Sequence, residues 1–545
     1  MKADRGFWLS LVTGAAAFFV LADWTILDPH NAGWLLSHPD TATSYLGWQF
    51  FRQAPLAQLP LGANPAYGME IATSVVFSDS IPLLALLLKP FSAFLPATFQ
   101  YLGLWLLACC VLQSVFAYRL LRRFSPDEWL CWIGAGFFLV APVWIYRLTG
   151  HYALAAQWVV LAALCLYFAP QFSPRRWIAL LCAAALIHFY LLVMAGALWL
   201  ADLWQRRASL LRHFLPAAAL TLAAMWLAGY FTIGTSASAI PGFGTYRMNL
   251  LSPVDANVLW SRLLPDLPSA YGEFEGLAYL GLGILLLVPL AAYQLRKTPF
   301  DRKRMVPLLA AGLVLTLLAA SNRVALGRIE LFSYDLPDLL RPYGDLLRAS
   351  GRLFWPVYYL ACATILVLAA RALPRRAAIA VCAIVLGVQV ADSSVGLRRT
   401  SERLADRPWH SPLRSPLWAE AADRYRRVLY VLPRNDHATF LPWAAFAADH
   451  RMAVNFGYFA RADAEKMIEA SQALETAVRA NALDPGNLYV FENEPLWRLA
   501  SARRGAEDFV GEVDGYRVIA PGLRGASAGS PARSAGSLPA GARTR

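Results

Sequence analysis

Charge is scarce in this 545-residue chain: 16% of its residues are Asp, Glu, Lys or Arg, against about 25% in soluble globular proteins. With 58% apolar residues and a mean hydropathy of +0.43, that shortage argues against a cytosolic enzyme, a disordered protein and a nucleic-acid binder. Acidic residues are scarcest: 36 stand against 49 Lys and Arg, a formal balance of +13. In so apolar a chain the excess reads as arginine gathered in cytoplasmic loops, where it sets orientation, rather than as a surface for an anionic polymer. The seven cysteines (Cys109, Cys110, Cys131, Cys165, Cys182, Cys362, Cys382) lie in apolar runs without ligand spacing. That pattern disfavours a disulfide framework or a zinc site and leaves small buried hydrophobes. A phosphate-cradling glycine loop, an HExxH and a paired CxxC are all missing. Gly281-Leu282-Gly283 lies inside an apolar run and reads as packing.

What is present is a series of apolar runs of bilayer-crossing length. The first, about Phe7 to Leu27, reads as a retained anchor rather than a cleaved signal, because no small-x-small cleavage site follows it. Others lie near 99–121, 129–148, 152–169, 177–203, 212–233, 275–295, 305–321, 353–371 and 374–392. Arginines 119, 122, 123, 175, 176, 206, 207, 212, 371, 375 and 376 and the stretch RKTPFDRKR mark the cytoplasmic ends. The segments 28–98, 234–274 and 322–352 then face outward. The apolar stretch 71–95 is broken by Asp79, Pro82, Lys89 and Pro90 and reads as interfacial or re-entrant, with Lys89 near lipid headgroups. The 177–203 run has arginines at both ends and fits a hairpin turning near Ile187-His188-Phe189-Tyr190. The expected fold is an α-helical polytopic membrane protein of about eleven spans, with a small C-terminal α/β extracytoplasmic domain. Residues 1–392 form the transmembrane domain and 393–520 the α/β domain. Within the latter, 428–432 and 488–491 read as strands and 462–483 as a helix with Asp463 as its cap. Residues 521–545, rich in Gly, Ser, Ala, Pro and Arg, read as a disordered tail.

The first outer loop, 28–98, is long and rich in Trp, Phe, Tyr, Pro and Gly, a composition that favours structure and function over disorder. Its polar residues include Asp28, His30, Asp40, Arg52, Glu70 and Asp79. Residues 43–53 read as an amphipathic helix offering Tyr45, Trp48, Phe51 and Arg52 to the interface. Asp40 reads either as a site carboxylate or as the cap of a helix starting near Thr41; Asp79 admits the same two readings ahead of Pro82. Asp28 and His30 fit an interfacial turn. Arg147 and His151 close a span on the outer side, either as a snorkelling pair or as site groups. His188 is a bundle-facing polar group or a hydrogen-bonded residue of the hairpin turn. Arg348 and Arg352 precede a span where a lipid phosphate would lie, or belong to an interfacial arginine belt. In the C-terminal domain, Arg434, Asp436, His437, Asp449, His450, Asn455 and Arg461 read as a solvated surface or an acceptor-binding face.

The stretch SIPLLALLLKPFSAFLPATFQYLGLW, followed by a span ending RLLRRF, resembles the loop-to-second-span region of aminoarabinose transferases and protein mannosyltransferases. The run VAPVWIYRLTGHYALAAQWVVL is similar to uncharacterised bacterial relatives of the same GT-C superfamily of membrane glycosyltransferases. The pattern extends over about residues 5–235. The resemblance implies sugar transfer at the periplasmic face of the bacterial inner membrane, from a polyprenyl-phosphate-linked donor to a glycan, lipid or protein acceptor, with inversion. It implies that Asp40, in HPDTATSY, is the acceptor base and Asp79 a second carboxylate. Lys89, Arg147, His151, His188, Arg348 and Arg352 would be the substrate contacts. No cofactor is required, although Asp40 and Asp79 are compatible with a divalent ion. Two rival readings stand beside it. A lipid or small-molecule transporter fits less well, since the spans hold almost no carboxylates for ion coupling and no interrupted-helix repeat. A non-catalytic cell-envelope assembly protein would use the outer domain to hold a partner.

Overall fold

The computed structural model describes residues 4–71, 73–233, 242–257, 259–299 and 301–523. Helices occupy the apolar runs: Arg5–Leu21, Leu102–Leu121, Glu128–Leu139, Trp158–Tyr167, Pro174–Ile187, Phe189–Gln205, Leu210–Ala228, Leu282–Leu295, Arg302–Ala320, Trp355–Arg371 and Arg375–Asp392. Asp4, Asp127, Ser209 and Asp301 begin four of them, each side chain accepting from a first-turn backbone N–H. Among the described residues, four helices are long and apolar enough to cross a membrane: Leu102–Leu121, Leu210–Ala228, Arg302–Ala320 and Ser350–Arg371. Two broken pairs, Glu128–Leu139 with Pro142–Thr149 and Arg375–Asp392 with Ser394–Arg403, bend by 48° and 59° and raise the number to six if each is one span. Other helices are shorter. Leu282–Leu295 has 14 residues, about 20 Å of rise against a hydrocarbon core of about 30 Å.

The 177–203 run breaks at the expected place. His188 is extended (φ −163°, ψ 137°) between Pro174–Ile187 and Phe189–Gln205, and its Nδ1 accepts from Tyr190 N at 3.2 Å. The two helices pack on each other. Among its described residues, the stretch 71–95 contains short turns and the seven-residue helix Pro82–Leu88.

The helix in the first loop differs from the amphipathic element expected. It runs Pro39–Gln53, and every residue from Thr41 to Phe51 is buried. Arg52 turns back to donate to the carbonyls of Pro96 (2.7 Å), Ala97 (3.0 Å), Ser92 (3.0 Å) and Leu95 (3.2 Å). These bonds wrap the end of the loop around the helix, so its aromatic residues face protein rather than lipid headgroups.

The late loop holds an antiparallel hairpin, β1 (Arg323–Leu326) and β2 (Ile329–Ser333), turning at Gly327 with φ 62°. The C-terminal domain is a five-stranded mixed sheet of β3 (Arg427–Tyr430), β4 (Ala453–Val454), β5 (Asn487–Phe491), β6 (Phe509–Val513) and β7 (Tyr516–Ala520). The strand order is β4-β3-β5-β7-β6, with β3 parallel to β4 and β5 and the remaining pairs antiparallel. Asp463 caps the helix Ala464–Arg479, accepting from Lys466 N at 3.1 Å. The expected tail lies, from residue 524 on, outside the described residues.

The domain and the first loop are stitched together. Val454 N donates to Ala66 O (2.9 Å), Ala460 N to Phe77 O (2.8 Å) and Asp463 N to Ile71 O (2.8 Å). Thr43 Oγ1 donates to Tyr458 O at 2.5 Å, and Gln53 Nε2 to Ala448 O at 2.9 Å. Tyr67 stacks on Phe50 and meets Phe459 edge-on, each at 4.7 Å between ring centroids.

Candidate functional site

Asp40 does not cap its helix. The helix begins two residues earlier than the sequence suggests, with Pro39 in its first turn, and the imidazole of His38 occupies the cap by accepting from Asp40 N (3.4 Å). The Asp40 carboxylate is thereby left to other partners, with Oδ2 at 3.6 Å from His38 Nδ1. Gly150 approaches closely; a Cβ there would sit 3.4 Å from Asp40 Oδ2. From the C-terminal domain, Tyr458 closes on the same carboxylate. Burial, together with the charge of Asp40, pushes the Tyr458 phenol up to about 12. Burial also lowers the His38 imidazole below its ordinary range, against the pull of Asp40.

Asp79 likewise does not open the helix that follows it; it is the C-cap of the short turn Val75–Ser78. It adopts a left-handed conformation (φ 54°), and Ile81 precedes the helix Pro82–Leu88. Its Oδ2 faces His151 Nδ1 at 3.8 Å, with the carboxylate 16% and the imidazole 37% exposed. Asp28 and His30 form the expected turn, His30 N donating to Asp28 Oδ1 at 2.9 Å.

Arg147 and Arg352 meet at a carboxylate that the sequence did not single out. Glu275 Oε2 accepts from Arg147 Nη1 and from Arg352 Nε, both at 2.8 Å, and its backbone carbonyl accepts from Arg147 Nη2 at 3.1 Å. All three side chains are buried. Burial opposes the Glu275 charge, but the two guanidiniums outweigh it and hold the carboxyl well below the usual carboxylate range. Two cations on one anion leave the group with a net positive charge. Arg147 also lies over the Tyr146 ring (4.7 Å) and Arg352 over the Tyr190 ring (5.3 Å).

The structure brings these groups within electrostatic reach of one another. His188 senses Asp79, Arg352, His151 and Arg147; Glu275 senses His151; His38 senses His151, His437 and Arg403. Arg348 bears on Tyr458 and Tyr246. Seven of the eight residues expected from the sequence therefore gather where the first loop, one end of the helical bundle and the C-terminal domain meet. Lys89 stands apart. It is buried with its Nζ over the Phe51 ring at 4.0 Å and has no hydrogen-bond partner among the described residues. Burial alone lowers its ammonium to about 8, with no charged neighbour contributing. Of the C-terminal residues, Asn455 is structural, bonded to both the N–H and the carbonyl of Tyr430, and Arg434 pairs with Glu492. Among the described residues no group of three or more His, Cys, Asp or Glu converges to hold a metal ion.

Glu275, His38 and Tyr458 were not legible as site residues. One signal for Glu275 existed: two arginines bordering apolar runs require an anion if they are buried. Tyr458 gave none, because it reaches Asp40 only through the docking of a distant domain.

A helical protein with, among the described residues, four to six candidate membrane spans, an enclosed first loop and a C-terminal mixed α/β sheet docked on that loop is the class these features define. The chain belongs to the DUF6311 family, described as a domain of unknown function: the family model matches residues 11–394, and the DUF6311 C-terminal domain matches residues 417–521. No curated protein and no solved structure matches it.

Proposed function

We propose that this protein is an inverting GT-C-type glycosyltransferase of the bacterial inner membrane. It would span the bilayer about eleven times, with the site and the C-terminal domain on the periplasmic side. The donor is a sugar on a polyprenyl phosphate, and the acceptor is a hydroxyl of a glycan, lipid or protein. The observation supporting this reading is that Asp40, Asp79 and His151 lie within electrostatic reach of the net-positive Arg147–Glu275–Arg352 group.

The chemistry follows from the charges. Asp40 takes the acceptor hydroxyl proton as that oxygen attacks the anomeric carbon. The bond from the anomeric carbon to the phosphate oxygen breaks, and the lipid phosphate leaves with the electron pair. Arg348 and the arginine–glutamate group face the charge that develops on it. Asp79 and His151 orient the reacting hydroxyls, Tyr458 holds the Asp40 carboxylate in place, and His38 fixes the backbone of the turn that carries it.

Purified protein given radiolabelled polyprenyl-phosphate sugar and a membrane acceptor extract tests this. Turnover is expected, with Asp40→Asn lowering it by about 10²–10⁴-fold while the melting temperature is unchanged. Normal turnover in Asp40→Asn removes the base role. Donor binding without turnover by the unmodified protein points instead to a non-catalytic envelope assembly protein.

A further inference from the structure

A second charged feature lies at the far end of the same helices. Asp4 begins the first helix, Arg119 closes Leu102–Leu121, and Arg176 opens Pro174–Ile187. The last of these helices runs 14 residues to His188, so its two ends are about 20 Å apart. At the arginine end is a cavity of about 780 Å³. Phe7, Phe116, Trp158, Leu180 and Ala183 supply its apolar wall. Arg119, Arg122, Arg123 and Arg176 also line it, against Asp4 as the one acidic residue.

That carboxylate is already engaged. Asp4 Oδ1 accepts from Phe7 N at 3.2 Å and from the Tyr118 hydroxyl. Arg122 donates to Ser125 O at 3.1 Å, and Arg119 lies over the rings of Phe7 (5.1 Å) and Phe116 (5.8 Å). Arg119, Arg123 and Arg176 form no ion pair among the described residues. The pocket therefore combines an unneutralised cluster of guanidiniums with an apolar wall between helices. Guanidinium forks match phosphate oxygens, and the wall matches acyl chains.

We propose that this cavity binds an anionic phospholipid of the adjacent leaflet, its phosphodiester on Arg119, Arg123 and Arg176 and an acyl chain along Phe116, Trp158 and Leu180. Basic pockets between membrane helices hold lipid headgroups in this manner. A free phosphate would satisfy the arginines but leave the apolar wall open to water. The inference is independent of the transfer reaction.

The test is native mass spectrometry of the full chain in detergent, titrated with phosphatidylglycerol and with phosphatidylcholine of the same acyl chains. Phosphatidylglycerol is expected to be retained at least tenfold better. Arg123→Gln/Arg176→Gln lowers its retention at least tenfold, and Ala183→Phe, which fills the wall without touching charge, lowers it as well. Both should melt as the unmodified protein does in lipid-free detergent; should the double variant misfold, Arg176→Gln alone, at an exposed position, serves. Equal retention of the two lipids, or unchanged retention in the variants, overturns the proposal. Displacement of phosphatidylglycerol by equimolar inorganic phosphate or glycerol phosphate assigns the pocket to a free phosphate and overturns the lipid.

Discussion

Arg147 and Arg352 are held by one buried carboxylate, so Glu275 determines whether two guanidiniums are tolerated away from water. Removing one partner of such a group strands the rest, typically at about 3–5 kcal/mol. Glu275→Gln should therefore lower the melting temperature in detergent sharply, and an unchanged melt would show that the arginines find other anions. His38 gives a pH signature. Its folded pKa lies below the ordinary 6.5 because burial disfavours the imidazolium, so the unfolded chain binds the proton more readily. The stability from this site is complete above about 6.5 and declines as pH falls through that value. His38→Asn, which retains a cap acceptor, should flatten that decline in melts taken between pH 5 and 8. At this scale the sequence conveyed residue type and not partner. Asp40, Asp79, Arg147 and His151 stood out because charge is rare in an apolar chain. Whether Asp40 was a cap depended on where the helix began, and His38 with Pro39 moved that start by two residues.

Elements were more legible than contacts, because apolar length and arginine placement survive tertiary context. The 177–203 hairpin and the Asp463-capped helix follow from local chemistry. The enclosure of Pro39–Gln53 was not readable, since Tyr45, Trp48 and Phe51 would suit a lipid interface as well as a protein interior. What distinguishes them is the Arg52 clamp on residues 92–97, a long-range arrangement. Two glycines test how tightly these elements approach. A Cβ at Gly103 would lie 1.9 Å from Ile26 O, whereas one at Gly196 meets nothing within 4 Å. Gly103→Ala should cost about 1–3 kcal/mol and speed proteolysis within 28–98. Gly196→Ala, inside the helix Phe189–Gln205, should stabilise by up to about 1 kcal/mol. Paired melts of the two variants decide it, and equal shifts would contradict the close packing at Gly103.

For the whole molecule, the C-terminal domain is a wall of the candidate site and not an appendage, since Tyr458 faces Asp40 and its backbone holds Thr43. A chain ending at residue 416 should keep its apolar helices in the membrane yet expose 28–98 to protease within minutes; protection equal to the full chain would show that the loop stands alone. No sequence pattern could have revealed this dependence, because it joins residues 415 positions apart. The same separation has a consequence for biogenesis. At about 5–20 residues per second, the ribosome needs on the order of a minute after Thr43 to deliver Tyr458. Through that interval Thr43 and the loop around it lack their Tyr458 contact, and a chain terminated before that residue never acquires this wall of the candidate site.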